Sequence, residues 1–424
     1  MASSDSETDQ QHPIWELVSL SDYRPPSAPT ATSARRGLLS LKRLFGRGQQ
    51  KPQGPVKSEH ELHVLEPKRL DAVAGAIDWR SAAQVLQSAL EQRSAADPVW
   101  LIISPPAAGF ARLLETWAVQ QEAACISSPN EEILMGDHSG WLADLPDSGA
   151  PWVLPRLERC WLRHPAGLEL VRDLFDRLLS GKLGFALIGC DSWSWAYLRF
   201  VVPTSMVRVL TFQAFDGERL AAWLAELAAA EDGHPCRFRH AQSGNLLLSV
   251  NDDEPQQGVG TELRYLAAQS RGNAAAALRL WRSRLRSEPE APEATEEVDL
   301  EQDVGPATRI TNRATDTTTK RTTEQDGAEV IWVAPAVDLS LPSGLDEPEA
   351  LLLHALLLHE GVTAPTLETL LPHTRFRTRA LLQQLAAADV VMRDEDDARW
   401  RVSVFAYPAV RTFLAGRDFL TDDC

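Results

Sequence analysis

From about His63 to Arg286 the sequence alternates short apolar runs with amphipathic helical spacing. No other feature constrains the fold as strongly, because strands separated by helices must cross over and therefore run parallel. The apolar runs are Val99 to Ile103, Ala124 to Ser127, Trp152 to Leu154, Phe185 to Cys190 and Val207 to Phe212. Between them Gly109 to Gln121, Gly167 to Ser180 and Ser194 to Phe200 carry apolar residues at helical intervals. This rhythm predicts a doubly wound α/β core with a five-stranded parallel sheet. Helical patterns at Asp216 to Ala230 and Thr261 to Arg286 follow without a return to strands, which predicts an appended helical subdomain. Among 13 tryptophans, Trp117, Trp161 and Trp223 suit buried helix faces.

Two stretches lack the pattern of a packed element. Residues 1 to 60 read as a disordered basic arm: Tyr23 to Pro55 is rich in Pro, Ser, Gly and Gln, with Arg35, Arg36, Lys42, Arg43 and Arg47 around a few leucines. Leu38, Leu41 and Phe45 fall at helical spacing, so Ser40 to Gly46 has two readings, a plain linker or a short basic helix touching an anionic membrane or an acidic partner. Residues 287 to 329 begin with eight acids and no base between Glu288 and Asp303, then turn threonine-rich, and read as a solvated acidic linker. They separate a core at 61 to 286 from a C-terminal piece at 330 to 424.

Charge and cysteine usage narrow the classes. With 42 Lys+Arg against 59 Asp+Glu the chain carries a formal −17, so its surface as a whole does not coat nucleic acid or anionic membrane. Five scattered cysteines without a C-x-x-C pair indicate neither a disulfide framework nor a zinc cluster. With an acidic N-terminus unlike a secretory signal and no apolar run of ~18 to 20 residues, the expectation is a cytoplasmic protein, at most peripheral to a membrane.

In the C-terminal piece Glu349 to His359, Thr366 to Leu370 and Arg377 to Ala388 read as helices, and Val390 to Arg393 with Trp400 to Val404 as a hairpin. That order is the winged-helix arrangement, a small α+β domain. Its third helix opens with Arg375, Arg377 and Arg379, which suit DNA phosphates. Against that, Asp394 to Asp397 place four acids at the wing tip, and Leu341 to Cys424 holds 13 acids to 8 Lys/Arg, a formal −5. Docking to a protein partner is the favoured reading and nucleic acid the second.

Val99 to Ile103 runs through Ser104-Pro-Pro-Ala-Ala-Gly109-Phe110-Ala111-Arg112 straight into a helix, where a phosphate-binding loop G-x-x-x-x-G-K-[ST] would stand. On that frame Ser104 takes the first Gly, Gly109 the second, Phe110 the Lys and Ala111 the Ser/Thr. The segment Ser270-Arg-Gly-Asn-Ala-Ala-Ala-Ala-Leu-Arg-Leu-Trp281 carries Gly272, Asn273, Ala277 and Leu278 at the spacing of a nucleotide lid helix. On these residues Val99 to Leu285 resembles the AAA+/STAND group of P-loop ATPases. The resemblance implies a five-stranded P-loop-type sheet with a helical lid, and it implies four losses. The loop Lys and the magnesium hydroxyl are gone, Pro155 and Arg156 stand at the Walker B acids with Glu158 about three residues late, and Ala275 replaces the sensor arginine.

A shifted register would make Phe185 to Asp191 the Walker B strand, with Asp191 the magnesium acid; the register adopted here makes it the fourth strand. Phosphoryl transfer rests on positioned positive charge and metal, so such losses imply little hydrolysis. The expected function is a non-catalytic pseudo-ATPase scaffold or regulatory adaptor without a cofactor. The alternatives are a winged-helix DNA binder and an ATP-binding switch acting through Asp191. Three further features read as structural. Asp137, His138 and Ser139 read as a loop, Ser192 or Ser194 as a helix cap, and His354 and His359, five apart, lack the spacing of a helical metal pair.

Overall fold

The structure is a computed structural model that describes residues 13–26, 57, 61–94, 97–146, 151–181, 183–229, 234–251, 260–289, 328–336 and 340–424. Its strands in chain order are β1 (Leu17–Ser19), β2 (His63–Val64), β3 (Val99–Ser104), β4 (Ala124–Cys125), β5 (Trp152–Leu154), β6 (Ala186–Asp191), β7 (Val207–Phe212), β8 (Cys236–His240), β9 (Leu246–Val250), β10 (Leu285–Ser287), β11 (Glu329–Val333), β12 (Val391–Arg393) and β13 (Trp400–Val402).

The central sheet runs β1-β7-β3-β6-β5-β4, with the five strands from β3 to β7 parallel and β1 antiparallel at the edge. Successive residues of β3 point to opposite faces. Trp100 and Ile102 join one core with Leu113, Leu114 and Trp117 of the helix Phe110–Gln120 and with the helices Gly217–Ala229 and Ala274–Arg284. Val99, Leu101 and Ile103 join the other core with Leu170, Val171, Leu174 and Phe175 of the helix Glu169–Leu179. Both faces are covered, which is why β3 reads as an unbroken apolar run.

Three expectations change. The N-terminal arm is not wholly an arm: Trp15 packs among Trp79, Phe212, Phe215 and Trp223, and Leu17–Ser19 extends the sheet. The basic segment 35–47 lies outside the described residues. The appended subdomain is not purely helical but contains a second sheet, β2-β10-β11-β8-β9, whose Phe238, Leu248, Ile331 and Val333 share the first core. And the acidic stretch does not run from one domain to the next. It joins β10 to β11, which are antiparallel neighbours in this second sheet, so a domain boundary at 330 cuts through β11. Of the three tryptophans, Trp117 and Trp223 lie buried on helices, while Trp161 is buried in the turn after a short 3-10 helix, Leu157–Arg159.

Beyond β11 come the helices Glu347–Leu358, Ala364–Leu370 and Arg375–Ala387, the β12–β13 hairpin, and a fourth helix, Tyr407–Ala415, that the sequence reading missed. Asp346 and Glu349 form a reciprocal capping box on the first of these. The piece has its own core around Leu352, Leu353, Leu382 and Leu385, and Trp193 of the central domain is built into it. Among the described residues no helix is long and apolar enough to cross a membrane.

Candidate functional site

In α/β sheets ligands meet the protein beyond the C-terminal strand ends. Here the ends of β3, β5 and β6 bring Ser104, Arg156 and Asp191 to one side, and the C-terminal piece sits on top of them. Arg156 pairs with Glu360, and Arg159 reaches both Glu360 (3.6 Å) and Asp397 (3.2 Å). The backbone amide of Arg163 donates to His359 Nε2 at 3.4 Å, and Trp161 packs on the same imidazole with ring centres 4.5 Å apart. Ser192 donates to Asp422 at 2.7 Å, and Asp422 also accepts from Tyr407 (3.2 Å) and Arg411 (2.9 Å). Arg199 pairs with Asp423 at 2.6 Å.

The loop residues are present in order but do not form a phosphate cradle. Gly109 has φ +83, as the turn into the helix requires, and a Cβ there would stand 3.0 Å from the Trp79 indole. Phe110, at the lysine position, is turned into the core, edge-on to Trp79 and Phe212. The Ser104 hydroxyl donates to the Pro105 carbonyl at 3.0 Å. Beneath the loop, between Ser104, Ala111, Glu158, Asp191 and Glu360, about 20 Å³ remains. That is space for about one water. Asn273 of the lid helix donates to the Pro106 carbonyl at 2.8 Å and caps its own helix by accepting from Ala276, tying lid to loop.

Asp191 is buried at the tip of β6 and caps the helix Ser192–Leu198 by accepting from the Trp193 amide at 2.9 Å. The cap expected of Ser192 or Ser194 is therefore Asp191, while Ser194 accepts from Trp161 Nε1 at 2.7 Å. Glu158, too late for Walker B by residue count, is carried back by the 3-10 turn and accepts from the Asp191 amide at 3.1 Å. Burial, then the nearby Glu360 carboxylate, pushes Glu158 up to about 8 against the pull of Arg156. Burial and the neighbouring Glu158 and Glu360 likewise hold Asp191 well above the usual carboxylate range. Burial is also the largest influence on the two histidines of the interface, bringing His354 down to about 4 and His359 to about 3. His354 accepts from Arg163, and its other nitrogen faces the Leu420 carbonyl at 3.1 Å. Among the described residues no group of three His, Cys, Asp or Glu is arranged to hold a metal ion.

The remaining sequence candidates lie elsewhere. Arg375 and Arg379 both pair with Glu368, at 3.2 and 2.7 Å, on an exposed face. Arg377, two residues from each, points away from the face that Arg375 and Arg379 share and is exposed, as is Phe376 at 84%. Of the four hairpin acids, Asp394 pairs with Arg401 at 2.9 Å and Asp397 with Arg159 and Arg401, while Glu395 and Asp396 are exposed. His138 meets Asp173 at 2.8 Å, away from Ser139, so Asp137, His138 and Ser139 make no triad.

Outside the small space under the loop opens a cavity of about 600 Å³ between loop, lid helix and C-terminal hairpin. Ala275, which the sequence analysis set at the sensor position, lines it, and so does Arg279, one turn further along the same helix. Sequence spacing gave no sign of Arg279 because the family pattern places the arginine four residues earlier.

No protein-family model matches the chain, and no curated protein matches it. Among solved structures it is similar to the RuvB Holliday junction branch migration motor of Thermotoga maritima, at 16% identity over 82% of this chain and 98% of that one, with a TM-score of 0.29. Two single-substitution variants of that motor match at 17% and 15% identity over the same shares, each with a TM-score of 0.28. Superposition at that level assigns neither fold nor function, and both are argued below from this chain's own strand order and side chains.

Proposed function

We propose that the protein is a non-catalytic regulatory adaptor, an AAA+-like core that has lost its ATPase chemistry and carries a winged-helix-like C-terminal module that meets protein partners. Numbering the parallel strands in chain order, the sheet runs 5-1-4-3-2, with Phe185 to Asp191 in the fourth strand, and this supports the AAA+ likeness and the register adopted from the sequence. The helix–helix–helix–hairpin order supports the winged-helix reading. The observation that carries the functional reading is the filled space under the loop. Phe110 is buried in the core, Arg156 is held by Glu360, and the remaining 20 Å³ is smaller than a phosphate group needs. The protein-facing surface is the exposed start of the helix Arg375–Ala387, with Arg375, Phe376 and Arg377.

The test is phosphate release from ATP–Mg by the full chain. The expected result is no turnover above a heat-denatured control. Turnover that Asp191→Asn abolishes would overturn the reading in favour of a nucleotide switch. For the partner face, duplex DNA binding with a steep salt dependence that is lost on replacing Arg375, Arg377 and Arg379 by Ala would overturn protein docking in favour of a DNA binder.

A further inference from the structure

A second recess lies on the C-terminal piece itself, a shallow groove of about 520 Å³ between the start of the helix Ala364–Leu370, the helix Arg375–Ala387 and the hairpin. Its floor is apolar, with Pro365, Leu382, Ala398 and Trp400, and among the described residues its only charged lining is Arg379 and Arg393. Glu368 is shared between Arg375 and Arg379, so these three together carry one positive charge. Arg393 is exposed, and its side chain has no hydrogen-bond or ion-pair partner among the described residues. Glu395 and Asp396 are also exposed on the hairpin but do not line the groove. An apolar floor under a net positive rim suits an extended peptide that alternates apolar and acidic residues.

The chain contains such a peptide. Glu297-Val-Asp-Leu-Glu-Gln-Asp-Val304 sets Val298, Leu300 and Val304 on one side of an extended strand and Glu297, Asp299, Glu301 and Asp303 on the other. It belongs to the stretch between β10 and β11, of which residues 290–327 lie outside the described ones. The stretch is rooted close by, since Arg282, just ahead of β10, lines the same 600 Å³ cavity as Met392, the neighbour of Arg393. An extended chain advances ~3.3 Å per residue, so the 12 residues from Glu288 to Leu300 span up to ~40 Å, several times the breadth of that cavity. We propose that the groove is the docking site of this chain's own segment Glu297–Val304, with Val298 and Leu300 on the floor of Leu382 and Trp400 and the acids between them reaching Arg393 and Arg379 at the rim. Tethering gives the segment an effective concentration on the order of millimolar, so an intrinsic Kd of about 0.1 mM fills the groove in about nine molecules of ten. The proposal does not depend on which partner the exposed start of the helix Arg375–Ala387 meets.

The experiment follows the fluorescence anisotropy of a labelled peptide of residues 294–304 added to the full chain, with a scrambled peptide of the same composition as the control. The expected result is about tenfold tighter binding to the double variant Val298→Ser, Leu300→Ser, whose groove is empty, than to the parent, which fills it from within. Adding Arg393→Glu to the double variant should weaken binding several-fold, and because Arg393 is exposed the exchange leaves the core of the C-terminal piece intact. Sedimentation should give the same oligomeric state for parent and double variant. Equal affinity for parent and double variant would leave the groove to an outside partner, and a dimer that dissociates in the double variant would assign the segment to a second copy. No binding to the double variant, equally tight binding of the scrambled peptide, or indifference to Arg393→Glu would mean that the groove does not read this segment. Each of these results overturns the proposal.

Discussion

Glu158, His354 and His359 lie in one buried interface, and their pKa values are shifted in opposite senses, so they pull the stability of the fold in opposite directions with pH. Glu158 is raised from 4.5 to about 8, so between those values the folded protein holds a proton that the unfolded chain has lost. Stability therefore falls as pH rises through that window. The histidines are lowered from 6.5 to about 4 and about 3, so below 6.5 the unfolded chain takes up protons that the folded one refuses, and stability falls as pH falls. The two effects oppose each other between about 4.5 and 6.5, where two histidines outweigh one carboxyl, so these three groups place the maximum of the unfolding midpoint near the upper end of that window. Each unmatched proton contributes a slope of up to ~1.4 kcal/mol per pH unit. Glu158→Gln should make the limb above pH 6.5 shallower, with Asp191 still contributing to it, and leave the acid limb in place, read by thermal unfolding across pH 4 to 9. Placing a lysine at the loop position with Phe110→Lys should not create ATP binding and should cost ~3 kcal/mol or more, measured by urea unfolding, because it puts a charge where an aromatic ring packs. At this scale the sequence showed which residues stood at the nucleotide positions but not where they pointed. Glu158 looked misplaced because residue counting assumes extended chain, and a 3-10 turn shortens the path. Arg279 went unseen because i and i+4 share a helix face, a relation that matching to a family pattern at single positions ignores.

The parallel strands were legible because burial on both faces makes each a solid apolar run, as in Val99 to Ile103. The second sheet was not, because β8 reads Cys-Arg-Phe-Arg-His, with charge on alternate residues, and β11 follows a long acidic stretch that set the expectation of a linker. β1 is three residues long and was lost in a proline-rich neighbourhood; what fixes it is a single aromatic anchor, Trp15, with the pair Glu16 to Arg219 beside it. Trp15→Ala should therefore cost ~3 to 5 kcal/mol and expose the N-terminal segment to limited proteolysis. Gly272 combines φ +74 with an Ala214 Cβ 2.5 Å from where its own Cβ would stand. Gly272→Ala is expected to loosen the Asn273 to Pro106 tie, seen as faster amide exchange at the start of the helix Ala274–Arg284. The helix Tyr407–Ala415 escaped notice because Pro408 reads as a breaker, yet it sits in the first turn, where proline is tolerated.

The two parts of the molecule are joined by a buried polar interface rather than by proximity alone. Arg156 and Glu360 are 27% and 20% exposed at their side chains, and each is the other's closest charge partner. A double-mutant cycle with Arg156→Ala and Glu360→Ala should give a coupling of ~1 to 3 kcal/mol, and either single variant should make the chain more readily cut between β11 and the helix Glu347–Leu358. That the C-terminal piece rests on the strand ends was not legible, because no local pattern announces a contact between residues some 200 apart, as 156 and 360 are.

Because the acidic stretch closes a loop between adjacent strands of one sheet, a backbone break within it leaves every strand pairing intact. Loop-closure entropy grows only slowly with length, so the linkage itself contributes little that reassociation at high concentration would not replace. Two halves co-expressed with a split between β10 and β11 should find each other and complement into one particle, whereas a half ending at β10 and produced alone would lack the strand between β10 and β8 and should be insoluble. The position of β11 thus makes the chain a natural candidate for a split reporter, with the cut site inside what the sequence had marked as the border between two domains.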